Sequence, residues 1–269
     1  MEFRTVVDVE DPGFRIEPCE EMLFVGSCFA DNIGARFKEE KFRATVNPFG
    51  VMYNPASILH TVERLSLAEP SILGSLRTAF FTLGTNHIYR LKETGEIVDN
   101  CQKRPQSLFT EEKLTVDECA NYLQKAIDIL RAANPDIHVV LTVSPIRYRK
   151  YGYHGSQLSK ATLLLATRQV AGASYFPAYE IINDELRDYR FYAEDMLHPS
   201  SQAVEYIWQR LSEVYLSDAA KQFLQEWQPL KAALNHKPFN PKSQEYRIFM
   251  DKTMLKIAEL QKKYPNFAL

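Results

Sequence analysis

The sequence predicts an α/β domain: a mainly parallel sheet covered on both faces by helices, with a helical extension at the C-terminus. Three observations point there. Short, unbroken apolar runs such as Met22 to Val25 suit strands buried on both faces. These runs alternate with segments whose apolar residues recur at helical spacing, which is the pattern of crossover-linked parallel strands. From about Asp218 the pattern is helical only, so the 269 residues divide into a sheet domain over 1–217 and an extension over 218–269 packed on it.

The elements follow in order. After the Met22–Val25 strand, Phe29, Ile33 and Phe37 stand four apart on one face of a helix beginning at Ser27. "FRATVNPFG" reads as a short strand closing on a turn. Asn54-Pro55 then supplies a cap and a first-turn proline for a helix with Ile58, Val62 and Leu65 inward. "TAFFTLGTN" is the next strand. "HIYRLKETGEIVDN" follows as a hairpin turning at Thr94-Gly95, outside the main sheet. Thr115 and Glu118 form a capping box ahead of Cys119, Leu123, Ile127 and Leu130. "IHVVLTVSP" is a second doubly buried strand, followed by a helix over about Ser156 to Val170 and a short strand near Ser174 to Phe176. Val204, Ile207, Leu211 and Val214 mark a further helix, and Ser243 caps a last one reaching Lys263.

Composition narrows the function. A formal net charge of −2 gives no basis for binding nucleic acid or an anionic membrane. No apolar run is long enough to cross a bilayer, and "MEFRTVVDVEDPG" is unlike a signal peptide, so a cytoplasmic protein is expected. Cys19, Cys28, Cys101 and Cys119 lack metal-ligand spacing; reduced thiols are expected, and neither a metal nor a cofactor.

In an open parallel sheet, ligands bind beyond the carboxyl ends of the strands. That rule gathers Ser27, Gly50, Asn86 and the loop after Ser144 at one edge. Ser27 opens a helix, where free N–H groups and the helix dipole favour developing negative charge. A serine nucleophile needs a base and a group to orient it. Asp195 and His198, in "AEDMLHPS" ahead of a helix, supply both. Asn86 and the backbone of Ser27 and Gly50 are the candidate donors to an oxyanion. A Gly-Ser turn is commonly a cap, Asp-x-x-His a surface pair, and Gly-Thr-Asn a plain turn. Their placement at successive strand ends weighs for catalysis. Cys28 is the rival nucleophile, expected to pack beneath the turn, and His87 and His154 are rival bases. Arg147 and Tyr148, with Arg149, Lys150 and Tyr151, form a loop able to contact an anionic or sugar substrate by charge and stacking.

The string "GSCFA" at Gly26–Ala30 resembles the signature of the GSCFA domain family. "NPFGVMYNP", "TLGT", "TVSPIR", "YFPAYEI" and "LRDYRFYAEDMLHPS" resemble that family's other blocks, over roughly Leu23 to Leu211. The family is similar to the SGNH (GDSL-like) hydrolases. The resemblance implies a three-layer α/β/α sandwich of SGNH/flavodoxin-like type. It implies Ser27 as nucleophile, Gly50 and Asn86 at the oxyanion positions, and Asp195 and His198 as the last block. Two departures accompany it: Arg64 to Arg77 replaces a longer segment, and "NCQK" at Asn100–Lys103 stands where a histidine is expected.

The expected function is therefore a serine esterase of SGNH type acting on an acyl ester, with acetyl on a carbohydrate as first substrate. The alternatives are an acyltransferase using the same site and a binding module that retains the site without turnover. The expected partner is a small-molecule or saccharide ester; the sequence leaves the oligomeric state open.

Overall fold

Met22 and Phe24 point to one side of the first strand and Leu23 and Val25 to the other, and all four are fully buried. A strand with both faces buried must lie inside a sheet covered twice. The computed structural model, which describes residues 1–269 apart from 2, 100, 102, 103 and 268, has that arrangement. Of the "NCQK" departure, Asn100, Gln102 and Lys103 lie outside the described residues.

In chain order, β1 (Glu21–Gly26) leads into α1 (Cys28–Glu39) and β2 (Arg43–Val46). Helices α2 (Pro55–Ala68) and α3 (Pro70–Ser75) precede β3 (Thr78–Leu83). An excursion of β4 (His87–Leu91), β5 (Ile97–Val98) and β6 (Phe109–Lys113) follows. Then come α4 (Val116–Ala133), β7 (His138–Val143), α5 (Gly152–Gln169) and β8 (Ser174–Tyr175). Short α6 (Ala178–Glu180) runs into a π-helical turn, Ile181–Glu185. Helices α7 (Ser201–Tyr215), α8 (Asp218–Leu234) and α9 (Gln244–Lys263) end the chain.

The main sheet is parallel throughout, in the order β2-β1-β3-β7-β8. Numbering only these strands gives 2-1-3-4-5, the flavodoxin-like order, whose topological switch point lies between the first strand and its neighbour β3. Period-two alternation sends alternate side chains into two cores. Leu23, Val25, Phe81, Leu83, Leu141 and Val143 meet α2, α4 and α5. Met22, Phe24, Phe80 and Val140 meet α1 and α7. The result is the expected three-layer α/β/α sandwich.

Some boundaries differ from the expectation. The β4/β5 hairpin gains a third strand, β6, paired to β4. "FTEEK" lacks an apolar alternation because only Phe109 is buried, so its period carries no strand signal. Helix α5 begins at Gly152 rather than near Ser156, because its first turn is polar and glycine-containing and carries no apolar stripe. The Arg64 to Arg77 segment is filled by the end of α2 and by α3.

Helices α8 and α9 build a small third core from Phe223, Trp227, Leu230, Ile257, Leu260 and Phe267, joined by Cys19. The Trp227 indole donates to the Glu39 carbonyl at 3.3 Å. Lys231 and Gln228 donate to the buried Glu40 carboxylate, which also pairs with Arg36. The extension thus docks on the last turn of α1. All four cysteines are free thiols, with Cys19 and Cys119 buried. Among the described residues, no helix is long and apolar enough to cross a membrane.

Candidate active site

Ser27 sits at the switch point, where β1 ends beside β3. Its backbone is extended, and its Oγ caps α1 by accepting the Phe29 N–H at 3.2 Å. Gly26 allows this. It holds φ at +146°, and a Cβ there would collide with the Thr82 carbonyl oxygen and come 2.5 Å from Thr82 Oγ1. Only glycine lets the chain pass this close to β3. The Ser27 N–H then reaches both Thr82 O at 3.1 Å and Thr82 Oγ1 at 3.0 Å. The two hydroxyls share a hydrogen bond of 3.1 Å. Asn47 completes the mount: Oδ1 accepts the Gly26 N–H at 2.9 Å and Nδ2 donates to Asp31 at 2.7 Å.

Asp195 and His198 do form a pair. Asp195 Oδ2 meets His198 Nδ1 at 2.5 Å, while Oδ1 accepts the N–H groups of Leu197 at 2.9 Å and His198 at 3.0 Å. The His198 N–H, then the imidazole, then the Leu197 N–H hold the carboxyl down to about 2, so it is ionised at neutral pH. With Nδ1 engaged, Nε2 is the nitrogen left to move a proton. Arg147 fastens this loop to the one after β7. Its N–H donates to the Leu197 carbonyl at 3.0 Å and its guanidinium to the Met196 carbonyl at 3.1 Å. The pair therefore stands at the same sheet edge as Ser27.

The expected bond between serine and imidazole is not formed in this conformation. The Ser27 hydroxyl is fully buried and engaged by Thr82 and Phe29. The His198 ring is 43% exposed, with Asp195 as its bonded partner. A reaction joining them needs an opening step that exposes the buried Ser27 hydroxyl.

The two other oxyanion candidates, Gly50 and Asn86, carry local hydrogen bonds. The Gly50 N–H closes its own turn on the Asn47 carbonyl at 2.8 Å. The buried Asn86 amide donates to the Leu114 carbonyl at 2.7 Å, and the Leu114 N–H returns to Asn86 O at 2.9 Å. One Asn86 amide hydrogen thereby ties the turn out of β3 to the end of β6, and the Gly50 N–H ties its own turn. Asn86→Ala is therefore expected to lower the urea midpoint by the equivalent of about 1–3 kcal/mol, the cost of leaving a buried carbonyl unpaired. An equally stable Asn86→Ala protein would contradict that placement.

The rivals lose ground. Burial pushes the Cys28 thiol up, away from the thiolate a nucleophile requires. His87 is bound to Glu111 at 2.9 Å and stacked on Tyr151 at 3.7 Å.

Sequence reasoning missed Lys160. It is fully buried on α5 and donates to the carbonyls of Gly84 and Ser144, each at 2.7 Å, pinning the ends of β3 and β7 together. The signal was present: Lys160 lies four after Ser156 and three before Leu163, on the buried face of its helix. Burial lowers its ammonium from 10.5 to about 7. Between those values the unfolded chain holds a proton that the folded protein has lost, so this group makes stability rise with pH across that window. Urea midpoints at pH 7 and near pH 9 should show a rise that Lys160→Met lacks. Equal slopes in the two proteins would contradict it.

The family profile of GSCFA matches residues 21–72 and 68–211, and that of the GSCFA domain protein C-terminal domain matches 227–269. The chain belongs to the GSCFA family. No curated protein matches this GSCFA chain. Among solved structures, it is similar to a GDSL-like lipase from Bacteroides thetaiotaomicron, with 13% identity, 77% of this chain and 88% of that one covered, and a TM-score of 0.44. A carbohydrate esterase family 3 structure from Talaromyces cellulolyticus gives 10% identity, 77% and 99% coverage, and 0.43. An acetyl-xylooligosaccharide esterase from Geobacillus gives 11% identity, 76% and 98% coverage, and 0.42. Among the described residues, no group of three or more His, Cys, Asp and Glu side chains is placed to hold a metal.

Proposed function

We propose that this GSCFA chain is an SGNH-type serine esterase that hydrolyses a short acyl ester, with an O-acetylated carbohydrate as its substrate class. The observation that carries the reading is the Asp195–His198 pair, oriented with Nε2 free and fastened by Arg147 to the sheet edge where Ser27 caps α1. After the opening step, Ser27 Oγ attacks the acyl carbon and its proton passes to His198 Nε2. The imidazolium, steadied by Asp195, returns that proton to the departing alcohol oxygen. Water then attacks the acyl-serine, gives a proton to His198, and releases the carboxylic acid as Ser27 is restored. The α1 N-terminus favours the negative charge that develops at each attack.

A cavity of about 280 Å³ beside the His198 loop supports a sugar as the alcohol part. Arg147, Gln157, Asn183, Tyr189 and Tyr192 line it. It combines hydrogen-bonding side chains with aromatic faces on which a ring can stack. The buried Ser27 hydroxyl favours a second reading, a binding module without turnover. A screen of short-chain acyl esters against wild type and Ser27→Ala separates the two. The esterase reading expects wild-type hydrolysis that Ser27→Ala loses. Absence of hydrolysis with every ester would favour the binding module. Product analysis with an added sugar acceptor distinguishes hydrolysis from acyl transfer.

A further inference from the structure

We infer that Tyr148 supplies a side-chain hydrogen bond to the acyl oxygen in this site. The inference rests on the esterase reading and deepens it by naming the group that meets the developing oxyanion.

The Tyr148 hydroxyl is buried and has no hydrogen-bond partner among the described residues. A phenol kept from both water and protein partners is costly, yet here the surroundings hold it in place. The Tyr148 N–H donates to Ser156 Oγ at 3.2 Å. The ring meets Tyr53 edge-on at 6.2 Å, lies near-parallel to Tyr151 at 6.0 Å, and has the Lys160 ammonium 5.2 Å from its centre. Lys160 in turn binds Gly84 O and Ser144 O, which fixes the ends of the two strands flanking the ring.

The hydroxyl lies over Gly84, where a Cβ would collide with it and come 2.9 Å from the Tyr53 carbonyl oxygen. That carbonyl already receives the Gly84 and Thr85 N–H groups at 2.9 and 2.8 Å. Gly84 is therefore the residue that makes room for the phenol oxygen at the carboxyl end of β3. Thr82, two residues earlier on the same strand, holds Ser27. The Tyr53 carbonyl that shares the Gly84 site with the phenol follows Met52, whose N–H donates to the Gly26 carbonyl at 2.8 Å, so the same short segment joins this end of β3 to the residue before Ser27. Burial keeps the phenol protonated well above its usual range, so it serves as a donor.

After the opening step, an ester whose carbonyl carbon stands at Ser27 Oγ directs its oxygen toward the end of β3, where this hydroxyl lies. The Tyr148 O–H then gains its missing partner as charge gathers on that oxygen. A preorganised donor of this kind favours the transition state over the bound substrate.

The experiment compares wild type, Tyr148→Phe and Ser27→Ala on 4-nitrophenyl acetate, with thermal midpoints measured on each. Phenylalanine keeps the ring and its packing, so a purely structural role predicts an unchanged kcat. The inference expects Tyr148→Phe to lose on the order of a hundredfold or more in kcat, with KM little changed and the midpoint not lowered. Wild-type turnover that Tyr148→Phe matches would overturn the Tyr148 assignment and leave the esterase reading standing. Absence of Ser27-dependent turnover in wild type would overturn the esterase reading, and the assignment with it.

Discussion

Ser27→Ala should lower kcat on short acyl esters by a factor on the order of 10⁴ to 10⁶, His198→Ala should cost nearly as much, and the double variant no more than the worse single one. In the proposed mechanism the two side chains act as one unit: without the imidazole the hydroxyl keeps its proton, and without the hydroxyl the imidazole has nothing to activate. Neither change should reduce stability greatly. The His198 ring is 43% exposed, and alanine at Ser27 removes a cap whose loss typically costs about 1 kcal/mol. Asp195, held at about 2, stays ionised at neutral pH beside the imidazole. Additive losses in the double variant would contradict a coupled pair and point to independent roles in binding.

Gly26→Ala should destabilise the protein by at least about 3 kcal/mol, from a side chain forced into a sparsely allowed φ together with overpacking against a neighbouring strand. The collision is with the Thr82 main chain, which cannot rotate away as a flexible side chain would. It would also break the paired Ser27–Thr82 hydrogen bonds that set the position of Ser27. Urea unfolding measures the loss. A Gly26→Ala protein with a wild-type midpoint and wild-type turnover would show that β1 and β3 separate without cost, contrary to their register from Met22↔Thr78 to Gly26↔Thr82.

The sheet was legible because its strands carry the signal in a few residues. Met22–Val25 and "IHVVLTV" are unbroken apolar runs, and helices with regular stripes separate them. Strand β6 was not, because four of its five residues escape the core and leave no period. Within the site, the short-range features read well. Asp195 and His198 are three residues apart in one loop, so their bond depends on local chain geometry. Ser27 as a helix cap follows from its neighbours alone.

The long-range features did not read. Nothing near Ser27 says that Thr82, 55 residues away, binds its hydroxyl, or that Asn86 turns its amide to Leu114. The GSCFA resemblance placed Gly50 and Asn86 by motif position. Where an N–H in a motif points depends also on the next segment, and here Leu114, just after β6, takes one amide hydrogen of Asn86. Lys160 could have been found, since a lysine at a core position of an amphipathic helix marks a buried polar contact.

A fluorophosphonate probe tests most directly whether Ser27, activated by His198, is the nucleophile. Mass mapping of the labelled protein should find the adduct on Ser27, lost in Ser27→Ala, strongly slowed in His198→Ala, and retained in Cys28→Ala. An adduct that survives Ser27→Ala and disappears in Cys28→Ala, or a wild-type protein that takes no label, would contradict it.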